Sequence, residues 1–328
     1  MNALPLPDGR VLQGELRDST IWLTCDGQPL MQLRTLDANT VQLLEVATDD
    51  LADVLWCASY WWFAAHPQAP RIVWRGLDQQ ALQLCDDWLR GDAGGASAQV
   101  ERSVFWQLPQ PWLRQALPPY PQQMVMSEGK RHPRRRAQPE GEVYRRFDAR
   151  LGAWISLRTL DIDQDLQRFN RWQNTPRVLH FWQEGGDLEQ HRKYLETIAA
   201  DPHVYSLIGC FDDQPFAYFE LYWAKEDRIA PFYVADDYDR GIHMLVGEQA
   251  HRGPHKVASW LAALTHYALL DDPRTNLVVA EPRADNAKMI GYMQTLGYYR
   301  EKEFDFPHKR AALMAIGRER FFDSGVLC

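Results

Sequence analysis

Leu51, Val54, Leu55, Ala58, Trp62 and Ala65 recur at the three- and four-residue spacing of one helix face. Asp49 and Asp50 stand ahead of them, where carboxylates suit the open amides and positive dipole end of a helix. The pattern predicts a helix over 49–65. Short strand-like runs at 11–12, 20–24 and 30–33 precede it, broken by turn signals such as Asp26-Gly27. A strand over 71–74 and a helix over 78–90 follow, so the first hundred residues read as a small α/β domain.

From residue 150 the elements are longer. A strand over 153–158 leads to helices over 161–173 and 187–200. Strands over 204–211 and 216–223 are joined by the Asp212-Asp213 turn. A strand over 241–247, a helix over 256–270, an apolar strand over 277–280 and a helix over 286–296 come next. Two strands, 298–304 and 311–316, close the series. Between the halves, Pro109, Pro111, Pro118, Pro119 and Pro121 precede the basic run from Lys130 to Arg136. Proline lacks an amide donor and fixes φ, which excludes helix and central strand. This segment reads as a solvated connection, giving an N-terminal domain over 1–108, a connection over 109–140 and a C-terminal domain over 141–328. No short-period repeat interrupts this division.

Composition narrows the function classes. Hydrophobic residues at 45% and charged residues at 24% describe a folded globular chain. A formal net charge of −8 argues against nucleic acid as a partner. The scattered cysteines Cys25, Cys57, Cys85, Cys210 and Cys328 form no C-x-x-C pair, which supports neither a zinc site nor a disulfide framework. Cys210, inside a strand-like run, reads as an inert buried thiol. The opening residues lack the basic and apolar regions of a secretion signal, and no uncharged apolar run is long enough to span a bilayer. The expectation is a cytoplasmic protein with no membrane partner.

The C-terminal order of elements is that of the GNAT acyltransferase fold, an α+β class. Gln249-Ala250-His251-Arg252-Gly253-Pro254-His255 falls between its fourth strand and third helix, where a helix N-terminus favours a phosphate. The loop departs from the Arg/Gln-x-x-Gly-x-Gly/Ala pattern: His255 stands at the first glycine and Val257 at the small residue. Longer strings carry more information. They are Phe105-Trp106-Gln107-Leu108-Pro109, Gly141-Glu142-Val143-Tyr144-Arg145-Arg146, Leu207-Ile208-Gly209-Cys210-Phe211, Asp239-Arg240-Gly241-Ile242-His243, Glu281-Pro282-Arg283-Ala284-Asp285-Asn286 and Phe304-Asp305-Phe306-Pro307-His308-Lys309. Over residues 100–325 the chain resembles the hydroxamate siderophore acyltransferases, the aerobactin-pathway N6-hydroxylysine acetyltransferases among them. That group shares the histidine in the CoA loop. Before residue 100 the resemblance is thin. There the order of hairpin, helix, strand, helix, strand suggests a degenerate GNAT-like copy lacking CoA.

The resemblance implies direct acyl transfer from acetyl-CoA to an N-hydroxylated amine, with no acyl-enzyme and no metal. It places the catalytic pair at His243 and Glu281, either of which suits the role of base, and an oxyanion donor on a backbone amide of the fourth strand. Gln249, Arg252, Gly253, His255, Lys256 and Asn286 are the candidate CoA contacts; Asn286 or Asp285 would otherwise cap a helix. Trp182, Tyr222, Trp223 and Asp239 are the candidate acceptor contacts, with plain core or turn-capping roles as the alternatives. N6-hydroxylysine is the expected acceptor. N-hydroxycadaverine, N-hydroxyputrescine and N5-hydroxyornithine, with succinyl-CoA or a longer acyl-CoA, are the rivals, and a non-catalytic acyl-CoA-binding scaffold is the reading from another class. Arg171, Arg177 and Arg240 are the candidates to meet an amino-acid carboxylate. Other enzymes of such a pathway are the expected protein partners.

Overall fold

The computed structural model describes residues 3–48, 50–92, 95 and 97–327. Asp49, expected at the first helix start, lies outside the described residues, as do Met1, Asn2 and Cys328. The chain divides into two units: Met1–Pro111 with Phe147–Gly152 and Leu327–Cys328, and Trp112–Arg146 with Ala153–Val326.

The first unit is built on β1 (Leu4–Pro5), β2 (Val11–Arg17), β3 (Thr20–Cys25), β4 (Gln28–Thr35), β5 (Thr40–Val46), β6 (Arg71–Arg75), β7 (Arg90–Gly91) and β8 (Ser97–Glu101). Helix α1 (Leu51–Ala65) connects β5 to β6; α2 (Gln79–Leu84) follows β6, and α3 (Arg102–Phe105) follows β8. The helix expected over 78–90 stops at Leu84. Asp86 and Asp87 would sit at its negative dipole end, where carboxylates are disfavoured.

The second unit begins with a ribbon of β9 (Met124–Ser127) and β10 (Lys130–Pro133), then β11 (Glu142–Asp148) and β12 (Ala153–Thr159). Helices α4 (Ile162–Gln173), α5 (Pro176–Trp182) and α6 (Leu188–Ala200) precede β13 (Val204–Phe211), β14 (Gln214–Trp223) and β15 (Arg240–Val246). Helix α7 (Pro254–Asp271), β16 (Leu277–Ala280), α8 (Ala287–Leu296), β17 (Tyr299–Asp305), β18 (Arg310–Gly317) and α9 (Arg318–Asp323) complete it.

The two sheets share one plan. Their strand orders are β1-β2-β3-β4-β5-β6-β8-β7 and β11-β12-β13-β14-β15-β16-β18-β17. In each, the only parallel neighbours among the described pairings are the fifth and sixth strands, β5 with β6 and β15 with β16. The N-terminal unit is therefore a second sheet of GNAT topology. It differs by a deletion. A two-residue turn, Asp18-Ser19, joins β2 to β3, whereas α4, α5 and α6 stand between β12 and β13. Those helices pack Leu166, Phe169, Trp172 and Leu195 against Ile208, Tyr218 and Leu245 of the sheet.

The proline- and arginine-rich segment is not the solvated connection expected from its composition. Arg135 makes a two-pronged contact with Glu226, at 2.6 and 2.7 Å, with both side chains more than nine-tenths buried. Gln138 donates to the carbonyls of Asp201 and Val204, and Arg274 donates to that of Tyr120. Bidentate, charge-assisted bonds such as that of Arg135 with Glu226 tie the segment to the C-terminal sheet.

Candidate active site

Strands β14 and β15 are paired so that Glu220 lies opposite His243 and Tyr222 opposite Gly241. Side chains alternate along a strand, so Tyr218, Glu220 and Tyr222 share one face. His243 then bridges two carboxylates: Nδ1 lies 2.6 Å from Glu220 Oε2, and Nε2 lies 2.5 Å from Glu281 Oε1, just past the end of β16. The Tyr222 hydroxyl donates to Glu281 Oε2 at 2.8 Å. Tyr194, from α6, and Tyr218 donate to Glu220 Oε1 at 2.6 and 2.7 Å. Arg228 and Lys309 stand 3.8 and 3.9 Å from Glu281 Oε1.

This packing sets the charges. Burial opposes ionisation of all three groups, and their mutual attraction outweighs it. His243 is pushed up to about 10, against the burial effect, by Glu281 and Glu220. Glu281, despite complete burial, is held far below the usual carboxylate range by His243, with help from Lys309 and Tyr222. Burial would raise Glu220, yet His243 and the two tyrosines hold it below its ordinary value.

Pairing of β15 with β16 is confined, among the described residues, to Arg240 and Gly241 against Val278 and Val279. Beyond Gly241 the strands part. A cavity of about 350 Å³ carries Glu220, Tyr222, His243, Glu281, Arg228 and Lys309 in its wall. A narrower one of about 170 Å³ runs from Arg252 and Gly253 past Leu245 and Val246. Phe181, Trp182, Met244, Asn286 and Met289 line both, so the two spaces adjoin at His243's neighbour on β15. At the far end of the narrower space α7 starts at Gly253, whose φ of 115° suits glycine, with Pro254 in the first turn and no side chain capping its amides. Burial lowers Arg177, and the nearby Arg252 lowers it further, so two cations crowd this end.

An acetyltransferase (GNAT) domain model matches residues 161–306. The chain is 46% identical over 225 residues to the Escherichia coli N(6)-hydroxylysine O-acetyltransferase, covering 68% of this chain and 71% of that one. It is 38% identical over 313 residues to a putative lysine N-acyltransferase of Schizosaccharomyces pombe, covering 94% and 93%. The chain belongs to the GNAT acyltransferases of the hydroxamate siderophore group. An uncharacterised Bacillus halodurans protein of known structure superposes with a TM-score of 0.55 at 29% identity, over 58% of this chain and 98% of that one.

A GNAT acyltransferase must hold two substrates, an acyl-CoA and an acceptor, and the two adjoining spaces offer room for both. Of the residues singled out in the sequence, the fold brings His243, Glu281, Trp182, Tyr222 and Asn286 into the cavity walls. Arg252 and Gly253 line the narrower space. Gln249 sits in the short turn before α7 and His255 in its first turn, both exposed, while Lys256 lies over the Phe211 ring at 4.3 Å. Asn286 is the cap of α8, accepting from the Met289 amide at 3.2 Å, as well as a wall residue.

Two acceptor candidates fall elsewhere. Trp223 follows Tyr222 and so points to the opposite face, where its ring carries Arg135 at 4.1 Å and Arg240 at 3.9 Å. Asp239 closes the turn before β15, accepting from the Asp236 amide at 2.9 Å and the Tyr233 hydroxyl at 3.1 Å. The arginines expected near the acceptor are also engaged: Arg171 with Glu248, Arg177 with the Val246 carbonyl, and Arg240 with Asp271. The arginines that do line the wider cavity are Arg228 and Arg283, and Arg283 is paired with Asp285. Cys210 is the inert thiol expected, pushed up to about 11 by burial, which Arg158 partly opposes. Among the described residues no helix is long and apolar enough to cross a membrane.

Glu220, Tyr194, Tyr218, Arg228 and Lys309 escaped the sequence analysis. Glu220 had a signal: a carboxylate inside the apolar run of β14, with tyrosines two positions away on either side. A buried charge of that kind requires a partner.

Proposed function

We propose that the enzyme transfers the acetyl group of acetyl-CoA to the hydroxylamine nitrogen of N6-hydroxylysine, giving a hydroxamate and free CoA. The observation that carries this reading is an anionic Glu281, bonded to His243 in the wall of the wider of two adjoining cavities. A hydroxylamine nitrogen is neutral at neutral pH and attacks the thioester carbon directly. As the N–C bond forms and the C–S bond breaks, the nitrogen proton passes to Glu281. Glu281 is a weak base, which suffices because an N–H on the tetrahedral adduct is acidic. Once protonated it is a correspondingly strong acid and returns the proton to the departing thiolate. The thioester oxyanion takes a backbone amide on the open edge of β15.

Arg228, His308 and Lys309 favour an amino-acid acceptor over a hydroxylated diamine. All three line the wider cavity, and burial together with Arg228 and Lys309 lowers His308. These cations suit an acceptor's carboxylate, and Glu184, Asp201 and Asp227 in the same wall suit its amino group. Acylation on nitrogen rather than oxygen leaves both hydroxamate oxygens available to iron, the purpose of such a product.

The test is thiol release from acetyl-CoA with N6-hydroxylysine, lysine and N-hydroxycadaverine, with the product checked for a coloured ferric complex. N6-hydroxylysine should be turned over much the fastest and give the coloured complex. Equal rates with lysine at neutral pH would remove the siderophore reading.

A further inference from the structure

Glu220 stands at the edge of the wider cavity, behind His243. It is 3% exposed. One carboxylate oxygen receives two phenols, Tyr194 from α6 and Tyr218 from its own strand, and Tyr218 is itself 2.9 Å from Ser206 Oγ. The other oxygen faces His243 Nδ1 across the β14–β15 pair. With Glu281 at Nε2, both ring nitrogens of His243 point at carboxylate oxygens. Glu220 and Glu281 are both held in the ionised form by His243; a carboxylate only accepts and the neutral imidazole has one N–H, so both contacts together call for the doubly protonated ring.

We infer that Glu220 is a positioning residue that fixes His243 as an imidazolium throughout turnover, making His243 a permanent cation and leaving Glu281 as the base. The inference rests on the acyl-transfer reading of this site. A neutral histidine in this place would compete with Glu281 for the nitrogen proton and would be free to turn. Clamped between two carboxylates, it instead presents a fixed charge that orients Glu281 and keeps it ionised. The groups facing His243 are consistent with this: Glu220 and Tyr222 from β14 and Glu281 beyond β16, while Lys309 and Arg228 face Glu281 rather than the ring. Trp182 at the end of α5 meets the ring edge-on, with centroids 6.4 Å apart, and brings no charge. The phenols of Tyr194 and Tyr218, both raised by burial and by Glu220, remain protonated donors.

The experiment is a nitrogen-15 NMR titration of the histidine-labelled full chain, run beside the pH dependence of kcat. In the wild-type protein both ring nitrogens of His243 should still be protonated at about pH 8.5, two units above an unperturbed histidine. Glu220→Gln keeps the shape and removes the charge. It should lower the His243 titration by about 1–3 units, the usual effect of one close opposite charge. The basic limb of kcat should move down by the same amount. The loss of kcat should be small at neutral pH and grow as pH rises past the lowered titration, with KM for acetyl-CoA unchanged. Tyr218→Phe, which removes a donor and leaves the charge, should not move that limb. A neutral His243 ring in the wild-type protein at about pH 8.5 would overturn the inference whether or not the variants fold. So would a Glu220→Gln enzyme whose acidic limb moves in place of the basic one. The NMR titration needs no turnover, so absence of acyl transfer would count against the proposed function and leave the inference standing on its own result.

Discussion

Gly241 and Tyr222 are cross-strand partners, and the ring of the tyrosine occupies the space where a side chain on residue 241 would begin. A β-carbon there would lie 1.9 Å from the ring. The same ring ends in the hydroxyl that donates to Glu281, and its body belongs to a core with Val204, Val279 and Leu313. Gly241→Ala should therefore cost about 1–3 kcal/mol of stability through overpacking and displace the hydroxyl from Glu281. Tyr222→Phe removes only the hydroxyl and should be milder on stability. Thermal melts of both variants beside kcat check this; a Gly241→Ala protein with wild-type stability and rate would refute it.

Glu281→Gln should retain acetyl-CoA affinity and lose about 10²–10⁴-fold in kcat, the range of one general base. Glu281→Asp keeps the charge but shortens the reach from the strand end, so its loss should be smaller. Calorimetric binding of CoA alongside steady-state rates separates the two effects. Loss of CoA binding in Glu281→Gln would show that the carboxylate acts on the donor instead.

Arg228→Gln should raise KM for N6-hydroxylysine and reduce kcat/KM by about 10–100-fold, as expected for losing a charged hydrogen bond. The same change should leave N-hydroxycadaverine nearly unaffected, because that amine has no carboxylate to lose. A parallel fall with both acceptors would assign Arg228 to the chemistry rather than to recognition.

The triad also shapes stability against pH. His243 is raised in the folded protein from 6.5 to about 10, so its contribution is full below about pH 6.5 and is lost as pH rises toward about 10. Glu281 is lowered from 4.5, so its contribution is full above about pH 4.5 and is lost as pH falls toward its folded value. The two overlap between those ordinary values. Melting temperature should be highest there and decline on the basic side, a decline that scanning calorimetry across pH would detect. A melting temperature still rising above neutrality would contradict the charge assignment.

What the sequence disclosed followed from how local each signal was. The C-terminal strands carry long apolar runs, and their order was legible without the structure. Strand β5 was missed because Thr40, Gln42 and Glu45 dilute its pattern. Helix α5 was missed because its seven residues give barely two turns. The ribbon of β9 and β10 is anchored by Lys130, which donates to the distant carbonyls of Glu226 and Asp227, a contact no local reading supplies. His243 and Glu281 came through family resemblance, but Glu220 needed the β14–β15 register and Arg228 the course of a loop. Alternation alone could have separated Tyr222 from Trp223, since neighbours on a strand cannot share a face.

The repeated sheet has a quantitative consequence. At the start of α1, Asp50 accepts from the Asp53 amide at 3.2 Å, and Asp53 is engaged with Arg10 at 2.6 and 2.8 Å. Carboxylates thus occupy the place where, at α7, Gly253 leaves the amides open, and an incoming pyrophosphate would meet like charge. A chain with two sheets of the same design should accordingly saturate at one equivalent of CoA.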